Sequence, residues 1–329
     1  MTACPGRREF ITLLGGAAAA WPVAARAQHP TMPVVGFLRS TLPADSTHLV
    51  TAFRQGLKQA GFVEGENVAI EFRYAEGRND RLPALVADLI RRPVAVMVGN
   101  SPAALAAKVA TKTVPIVFAY GGDPVRDGLV ASLNRPDGNV TGVNFFDGTI
   151  GSKRLELLRK LVPKATLIGV LVNPNTTETE AERREVQAAA KAIGQQLVIL
   201  EASNDRDIES AFETFVQRGV GALLIGTGAF TFANRERLVA LAAHHALPTS
   251  HTPREAAVAG CLMSYGTSIP DAYRQVGVYA GRILKGEKPG DLPVIRSTKF
   301  EFVLNLKTAK TLGLEFHPQL LATADEVIE

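Results

Sequence analysis

The chain has 329 residues, enough for one large or two medium domains with buried cores. Its 46% hydrophobic content and mean hydropathy of +0.09 are ordinary for a globular α/β protein. The formal net charge is +4, and removing Arg7, Arg8, Glu9 and Arg26 with the first 27 residues leaves +2. So small a balance, with no Lys/Arg stripe interleaved with aromatics, argues against a nucleic-acid partner.

The first stretch is a targeting signal in pattern. Arg7-Arg8-Glu9-Phe10-Ile11 precedes an apolar run over 13–23 that ends at Ala25-Arg26-Ala27. A charged start, a short apolar centre and an A-x-A site predict a secretory signal over 1–27, cut after Ala27. The paired arginines followed by Phe10 are similar to a twin-arginine export signal, with Thr12 where a lysine is often found. The run is shorter than the about 20 apolar residues a membrane span needs. The mature protein is therefore expected in the periplasm, exported and soluble. Cys4 falls inside the signal, so Cys261 alone remains and no intramolecular disulfide can form.

From residue 32 the chain reads as strand and helix in alternation. A strand over 32–39 leads to a Ser40-Thr41 loop, and Leu49, Phe53 and Leu57 then recur at helical spacing until Gly61. A strand over 68–74 and a helix over 82–90 follow. Residues 94–99 and 114–119 are apolar runs bounded by breakers, as in strands buried on both faces of a parallel sheet. A short helix over 127–133 and a strand over 139–143 complete this series. After a break at 144–148 come a helix at 153–161 and a second series: strands at 167–172, 197–200, 221–225 and 247–249, helices at 178–193, 208–216 and 234–244. A long helix over 271–284 and an alternating strand over 299–304 close the chain. Two β-α series argue for an α/β protein of two similar lobes, each with its own parallel sheet and right-handed crossovers.

Open α/β sheets bind ligands beyond the carboxyl ends of their strands, where amides and helix N-termini point into a crevice. In the first lobe those positions are Ser40, Thr41, Asn100, Ser101, Gly121, Gly122 and Asp123; in the second they are Asn173, Asn175, Gly226, Thr227 and His251. Ser101, followed by Pro102, reads as an N-cap whose hydroxyl and neighbouring amides can meet an anion. Tyr120, Phe145, Phe146, Phe230 and Tyr265 are candidates for the walls around an apolar ligand tail. Each residue also has a structural reading. Ser101 can be a cap alone, Asp123 before Pro124 suits a turn, and of adjacent Phe145 and Phe146 one should face the core.

An enzyme reading competes at the same place. Gly99-Asn100-Ser101-Pro102-Ala103 is one residue short of the G-x-S-x-G nucleophile elbow of α/β-hydrolases, with His244, His245 or His251 as later bases. Pro102, however, removes the amide that should complete the oxyanion hole, and Ala103 replaces the close-packing glycine. Gly226-Thr227-Gly228 lacks the third glycine of a dinucleotide fingerprint, there is no P-loop, and no histidine spacing suits a metal. No cofactor and no metal are expected.

Several local motifs carry a family likeness: Ala52-Phe53-Arg54-Gln55-Gly56-Leu57, Gly121-Gly122-Asp123-Pro124-Val125, Leu133-Asn134-Arg135-Pro136, Gly138-Asn139-Val140-Thr141-Gly142, Arg254-Glu255 and Gly260-Cys261-Leu262-Met263-Ser264-Tyr265-Gly266. Asp271-Ala272-Tyr273-Arg274-Gln275, 281–289, and Asn305 to Lys310 followed by Leu312-Gly313-Leu314 extend it. Over residues 32–329 the chain resembles the ABC-transporter substrate-binding proteins of the tryptophan/tyrosine type. The resemblance implies a type I periplasmic binding fold: two Rossmann-like lobes with parallel sheets joined by three hinge crossovers, placed at 144–148, 266–269 and about 299–305. Lobe 1 is then 31–145 with 268–302, and lobe 2 is 146–267 with 303–329. The function implied is capture of a small molecule, an aromatic or branched amino acid or a related carboxylate, by a monomer that delivers it to a membrane ABC permease with its ATPase. Ser101 and the Gly121/Gly122 loop match the positions that take the carboxylate in related amino-acid binders, and Asp123 is placed to balance an ammonium. A periplasmic sensor domain without transport is a lesser alternative.

Overall fold

The computed structural model describes residues 32–145, 150–176 and 178–329. The first series comprises β1 (Val34–Arg39), α1 (Thr47–Gln59), β2 (Ala69–Tyr74), α2 (Leu82–Arg91), β3 (Val94–Asn100), α3 (Ser101–Ala110), β4 (Ile116–Tyr120) and β5 (Val140–Asn144). These short Val/Ile-rich strands pair in parallel in the order β5-β4-β3-β1-β2. Both faces are covered, which explains the absence of polar alternation in β3 and β4. Leu49, Phe53 and Leu57 of α1 pack on one face; Val86 and Leu89 of α2 and Ala104 and Ala107 of α3 pack on the other.

The second series begins with α4 (Ile150–Leu161). It continues through β6 (Leu167–Val172), α5 (Thr179–Ala192), β7 (Gln196–Glu201), α6 (Asp205–Gln217), β8 (Ala222–Ile225), α7 (Ala229–Ala233), α8 (Arg235–His244), β9 (Thr249–His251), α9 (Arg254–Ala259) and β10 (Met263–Thr267). The chain then returns to the first sheet. There α10 (Ile269–Leu284) buries Tyr273, Val276 and Ile283 beside α1, and β11 (Ile295–Arg296) pairs with β5. Finally β12 (Phe300–Asn305) joins the second sheet antiparallel to β10, and α11 (Leu306–Thr311) and α12 (Pro318–Leu321) lead to β13 (Glu326–Ile328) beside β12. The second sheet runs β13-β12-β10-β9-β8-β6-β7. Where α1 and α10 cross there is no room for a side chain. A Cβ on Gly56 would lie 1.8 Å from the Arg274 carbonyl oxygen, and one on Gly277 2.2 Å from that of Phe53.

The chain thus passes between the sheets after β5, between β10 and α10, and between β11 and β12. The third passage occupies Ser297 to Lys299, just before the expected stretch 299–305, most of which is β12 itself. The short helix expected over 127–133 does not form. Gly128 takes a left-handed φ of 74°, and the amides of Leu129 and Val130 both donate to the Pro124 carbonyl, closing a turn in its place. Ser101 is not the N-cap of α3: Asn100, with extended backbone, holds that position, and Ser101 is the first helical residue. Its hydroxyl is therefore released from capping.

In each sheet the strand order reverses at one point, between β1 and β3 in the first and between β6 and β8 in the second. Connections leave in opposite directions there, and the carboxyl ends open a crevice. The two crevices supply the site.

Candidate functional site

A cavity of about 130 Å³ lies between the strand ends of the two sheets. On the first side, Arg39 at the end of β1 and Thr41 after it, Asn100 at the end of β3 and Ser101 after it, and Ala119 and Gly121 around the end of β4 contribute to its lining. The loops after β1 and β3 are pinned together, since the Ser40 amide donates to Asn100 Oδ1 (3.1 Å) and Asn100 Nδ2 donates to Ser40 Oγ (2.7 Å).

Arg39 ends an otherwise apolar strand and is 5% exposed. Its guanidinium donates to Ser46 Oγ (3.2 Å), Thr41 Oγ1 (3.3 Å) and the Tyr273 hydroxyl, and it lies 5.2 Å from the centre of the Tyr273 ring. All these partners are neutral hydroxyls, and none of the ion pairs among the described residues includes Arg39. Burial pushes the Tyr273 phenol above its ordinary pKa, so it stays neutral. A buried guanidinium without a counter-charge is costly unless an anion joins it.

The opposite wall is acidic. Glu178 precedes α5, and Glu182 and Glu185 follow at helical spacing, so all three reach the cavity. Ser101 Oγ donates to Glu178 Oε1 (3.2 Å) and accepts from the Gly121 amide (3.0 Å), which bridges the two sides. A side chain at 121 would crowd this bridge: a Cβ there would lie 2.7 Å from Glu178 Oε1 and 2.8 Å from the Phe145 ring, so both side chains would have to shift. Glu182 is neutralised by Arg154, which is fully buried. Arg154 Nη1 reaches Glu182 Oε1 (3.0 Å), and its other nitrogens donate to the Ile225 and Ser250 carbonyls (2.5 and 2.6 Å) and to Ser250 Oγ (3.3 Å). The remaining Glu182 oxygen accepts from the Thr227 amide (2.8 Å) and hydroxyl (3.0 Å), fixing the loop after β8. Glu185 accepts from the Gly151 and Ser152 amides at the start of α4 (3.2 and 2.7 Å). Burial nevertheless outweighs those bonds and raises its pKa.

His251, at the end of β9, also lines the cavity and is 2% exposed. Burial, reinforced by the positive charge of Arg154, lowers its pKa from 6.5 to about 3, so the imidazole is neutral near pH 7. The unfolded chain binds that proton below about pH 6.5 while the folded protein refuses it until about pH 3. Stability contributed by this group is therefore complete above pH 6.5 and is lost as pH falls towards 3. Urea titrations between those limits should show a decline that His251→Leu flattens; an equal slope in both proteins would contradict it.

Of the sequence candidates, Thr41, Asn100, Ser101, Gly121, Phe145, Gly226, Thr227 and His251 line this cavity. Ser40 stands behind Asn100. Tyr120 lies in the core rather than in a cleft wall. Alternation along β4 turns Ala119 towards the α10 face and Tyr120 to the other, where it packs against Phe118 and donates to Asp127 (2.9 Å). The Gly122 carbonyl accepts from Asn144 (2.7 Å) and Asp123 caps the amides of Val125 and Arg126 (3.0 and 3.1 Å). Asp123 is thus a turn residue. Asn173 accepts from the Asn175 amide (2.7 Å) to shape the turn after β6, and Asn175 is exposed. Phe230 packs into the core of the second sheet, and Tyr265 stacks on Phe300 away from the cavity. Phe146 lies outside the described residues. The aromatic linings beyond Phe145 are Phe232, two residues past the one expected, and Tyr273 of α10.

Outside the cavity the two halves also meet through polar side chains. Asp45 forms an ion pair with Arg235 (3.0 Å), and His48 Nε2 lies 3.0 Å from Glu255 Oε1, with the Phe232 ring near Arg235 and His48. Among the described residues no helix is long and apolar enough to cross a membrane, and no cluster of potential metal ligands occurs.

Comparison with known proteins agrees with this architecture. A tyrosine-binding protein of Clostridioides difficile (strain R20291) is 26% identical over 264 residues, covering 80% of this chain and 76% of its own. A solved structure described as the ABC domain in complex with L-Trp from Streptococcus pneumoniae superposes with a TM-score of 0.83 at 25% identity, over 90% of this chain and 99% of that one. A conserved domain protein from Vibrio cholerae gives a TM-score of 0.84 at 25% identity over the same shares. ABC-transporter solute-binding proteins of the type I periplasmic binding fold align at lower identity and show the fold alone, one of them with bound myo-inositol. Residues 43–328 match the model of the ABC transporter substrate binding proteins, and the chain, with a cavity enclosed between two switch-point crevices, belongs to that family.

Proposed function

We propose that this substrate-binding protein captures a zwitterionic amino acid, with an aromatic or branched side chain, between its two sheets. The observation that carries the reading is the division of charge across the cavity. A guanidinium without a carboxylate partner, Arg39, stands on the first side, and the carboxylate of Glu178 stands on the second. The ligand carboxylate then meets Arg39 and Thr41 as a charge-assisted pair. Its ammonium meets Glu178, with Ser101 holding that carboxylate in place. Phe145, Phe232 and Tyr273 offer apolar walls for the side chain. The names of the relatives, which bind tyrosine and tryptophan, favour the same ligand class.

In this reading residues 31–145 with 268–302 and residues 146–267 with 303–329 are two lobes that close about the three crossovers. Ligand contacts made to both sides favour the closed state, helped by the pairs Asp45–Arg235 and His48–Glu255. The protein is exported after cleavage of residues 1–27, which lie outside the described residues. It acts as a monomer in the periplasm and hands its ligand to an ABC permease with its ATPase. It makes and breaks no bond: the Ser101 hydroxyl donates to a carboxylate, which does not serve as the base of a nucleophile elbow in the way an imidazole does.

The double variant Ser101→Ala/Gly121→Val removes the bridge to Glu178 and fills the space in front of it. Calorimetry with L-tyrosine and L-tryptophan should then register no binding, while the circular dichroism spectrum is unchanged. Affinity equal to the parent protein would refute the site.

A further inference from the structure

The polar groups around the cavity are nearly all engaged within the protein. The hydroxyl of Thr227 donates to Glu182, that of Thr231 to the Gly228 carbonyl, and that of Thr267 to the Phe145 carbonyl. The carboxylates of Glu182 and Glu185 are held by Arg154, Thr227 and the start of α4. His251 is the exception. Its Nε2 is buried and has no hydrogen-bond partner, the one such atom among the described lining residues. The ring is fixed at the end of β9 between β8 and β10, and it is neutral near pH 7. A neutral imidazole nitrogen forms one directional hydrogen bond, as donor or acceptor according to tautomer. Left facing an apolar group, it would forfeit that bond in a water-poor site.

Resting on the amino-acid reading above, we propose that His251 is a specificity-determining residue. It selects side chains that end in a hydrogen-bonding group, a phenol hydroxyl or an indole N–H, over apolar ones of the same size. Arg39 and Glu178 hold the charged groups common to every amino acid and cannot make this distinction. A site built to hydrogen-bond a ligand group rejects the analogue lacking it far more strongly than an apolar pocket rejects an extra methylene.

Calorimetric titration of the full mature chain with L-tyrosine, L-tryptophan and L-phenylalanine tests this directly. L-tyrosine or L-tryptophan should bind at least tenfold more tightly than L-phenylalanine. In His251→Leu the affinity for the preferred ligand should fall at least tenfold, that for L-phenylalanine should hold, and the ratio should collapse. Should that variant fail to fold, the Nε2 resonance of His251 in nitrogen-15-labelled parent protein gives the same answer: it should shift with the preferred ligand and stay in place with L-phenylalanine. L-phenylalanine binding as tightly as both others, an unchanged ratio in His251→Leu, or a resonance indifferent to the ligand would overturn the role of His251 and leave the amino-acid reading standing. Failure of all three amino acids to bind would overturn both.

Discussion

Replacing Arg39 by methionine should weaken amino-acid binding by about 2–5 kcal/mol, or roughly 30-fold to several thousand-fold in Kd. Methionine keeps most of the side-chain length and apolar contact with Tyr273, so the loss reports the charge. In the free protein the guanidinium is held by Ser46, Thr41 and Tyr273 hydroxyls, which are strong enough to orient it and carry no charge to neutralise it. In the proposed complex the ligand carboxylate supplies that neutralisation, and the variant offers it no cation to meet. Folding should be preserved or improved, because an uncompensated buried charge has been removed. Fluorescence or calorimetric titration with L-tyrosine and L-tryptophan checks the first part and thermal unfolding the second. Wild-type affinity in Arg39→Met would remove Arg39 from the site.

Arg154→Ala should have the opposite profile, a large loss of stability. The guanidinium is fully buried and ties α4 to the ends of β8 and β9 through the Ile225 and Ser250 carbonyls, while neutralising Glu182. Truncation leaves a buried carboxylate and two strand-end carbonyls without their partner. Breaking a buried pair on one side costs about 3–5 kcal/mol, which lowers Tm by roughly 6–12 °C or more. Replacing both partners, as in Arg154→Met/Glu182→Leu, should recover part of the loss, since no charge is then stranded. A double variant less stable than Arg154→Ala would show that the pair itself is not what matters.

The contrast between these two arginines also explains what was legible in the sequence. The β-α periodicity, the breakers after each apolar run and the two series separated at 144–148 are backbone-level signals. They locate the strand ends, hence Thr41, Asn100, Ser101, Gly121, Gly226, Thr227 and His251 around the cavity. Side-chain direction at those ends is a finer matter. Tyr120 and Ala119 are neighbours on β4, and register alone sends the smaller to the cavity face and the larger to the core. Asp123 and Asn173 stand at the right loops but turn inward on their own backbones. The charged residues were hidden by their surroundings. Glu182 and Glu185 sit in a helix crowded with exposed charges, with Glu178 just before it, where no composition signal separates the buried face from the solvated one. Arg39 did leave a trace, a charge closing the apolar strand Val34–Arg39, where a solvated loop residue would be expected just beyond. Arg154 left none, because its partners come from three elements distant in sequence.

The proposed capture depends on opposite charges meeting a zwitterion between two sheets, and one calorimetric series separates the charges. The protein should be stripped of any carried ligand by unfolding and refolding, then titrated with the preferred amino acid, with the corresponding amine lacking the carboxylate, and with the corresponding acid lacking the ammonium. Tight binding of the amino acid, with each analogue weakened at least a hundredfold, is the predicted result. An amine or an acid that binds as tightly as the parent would contradict it.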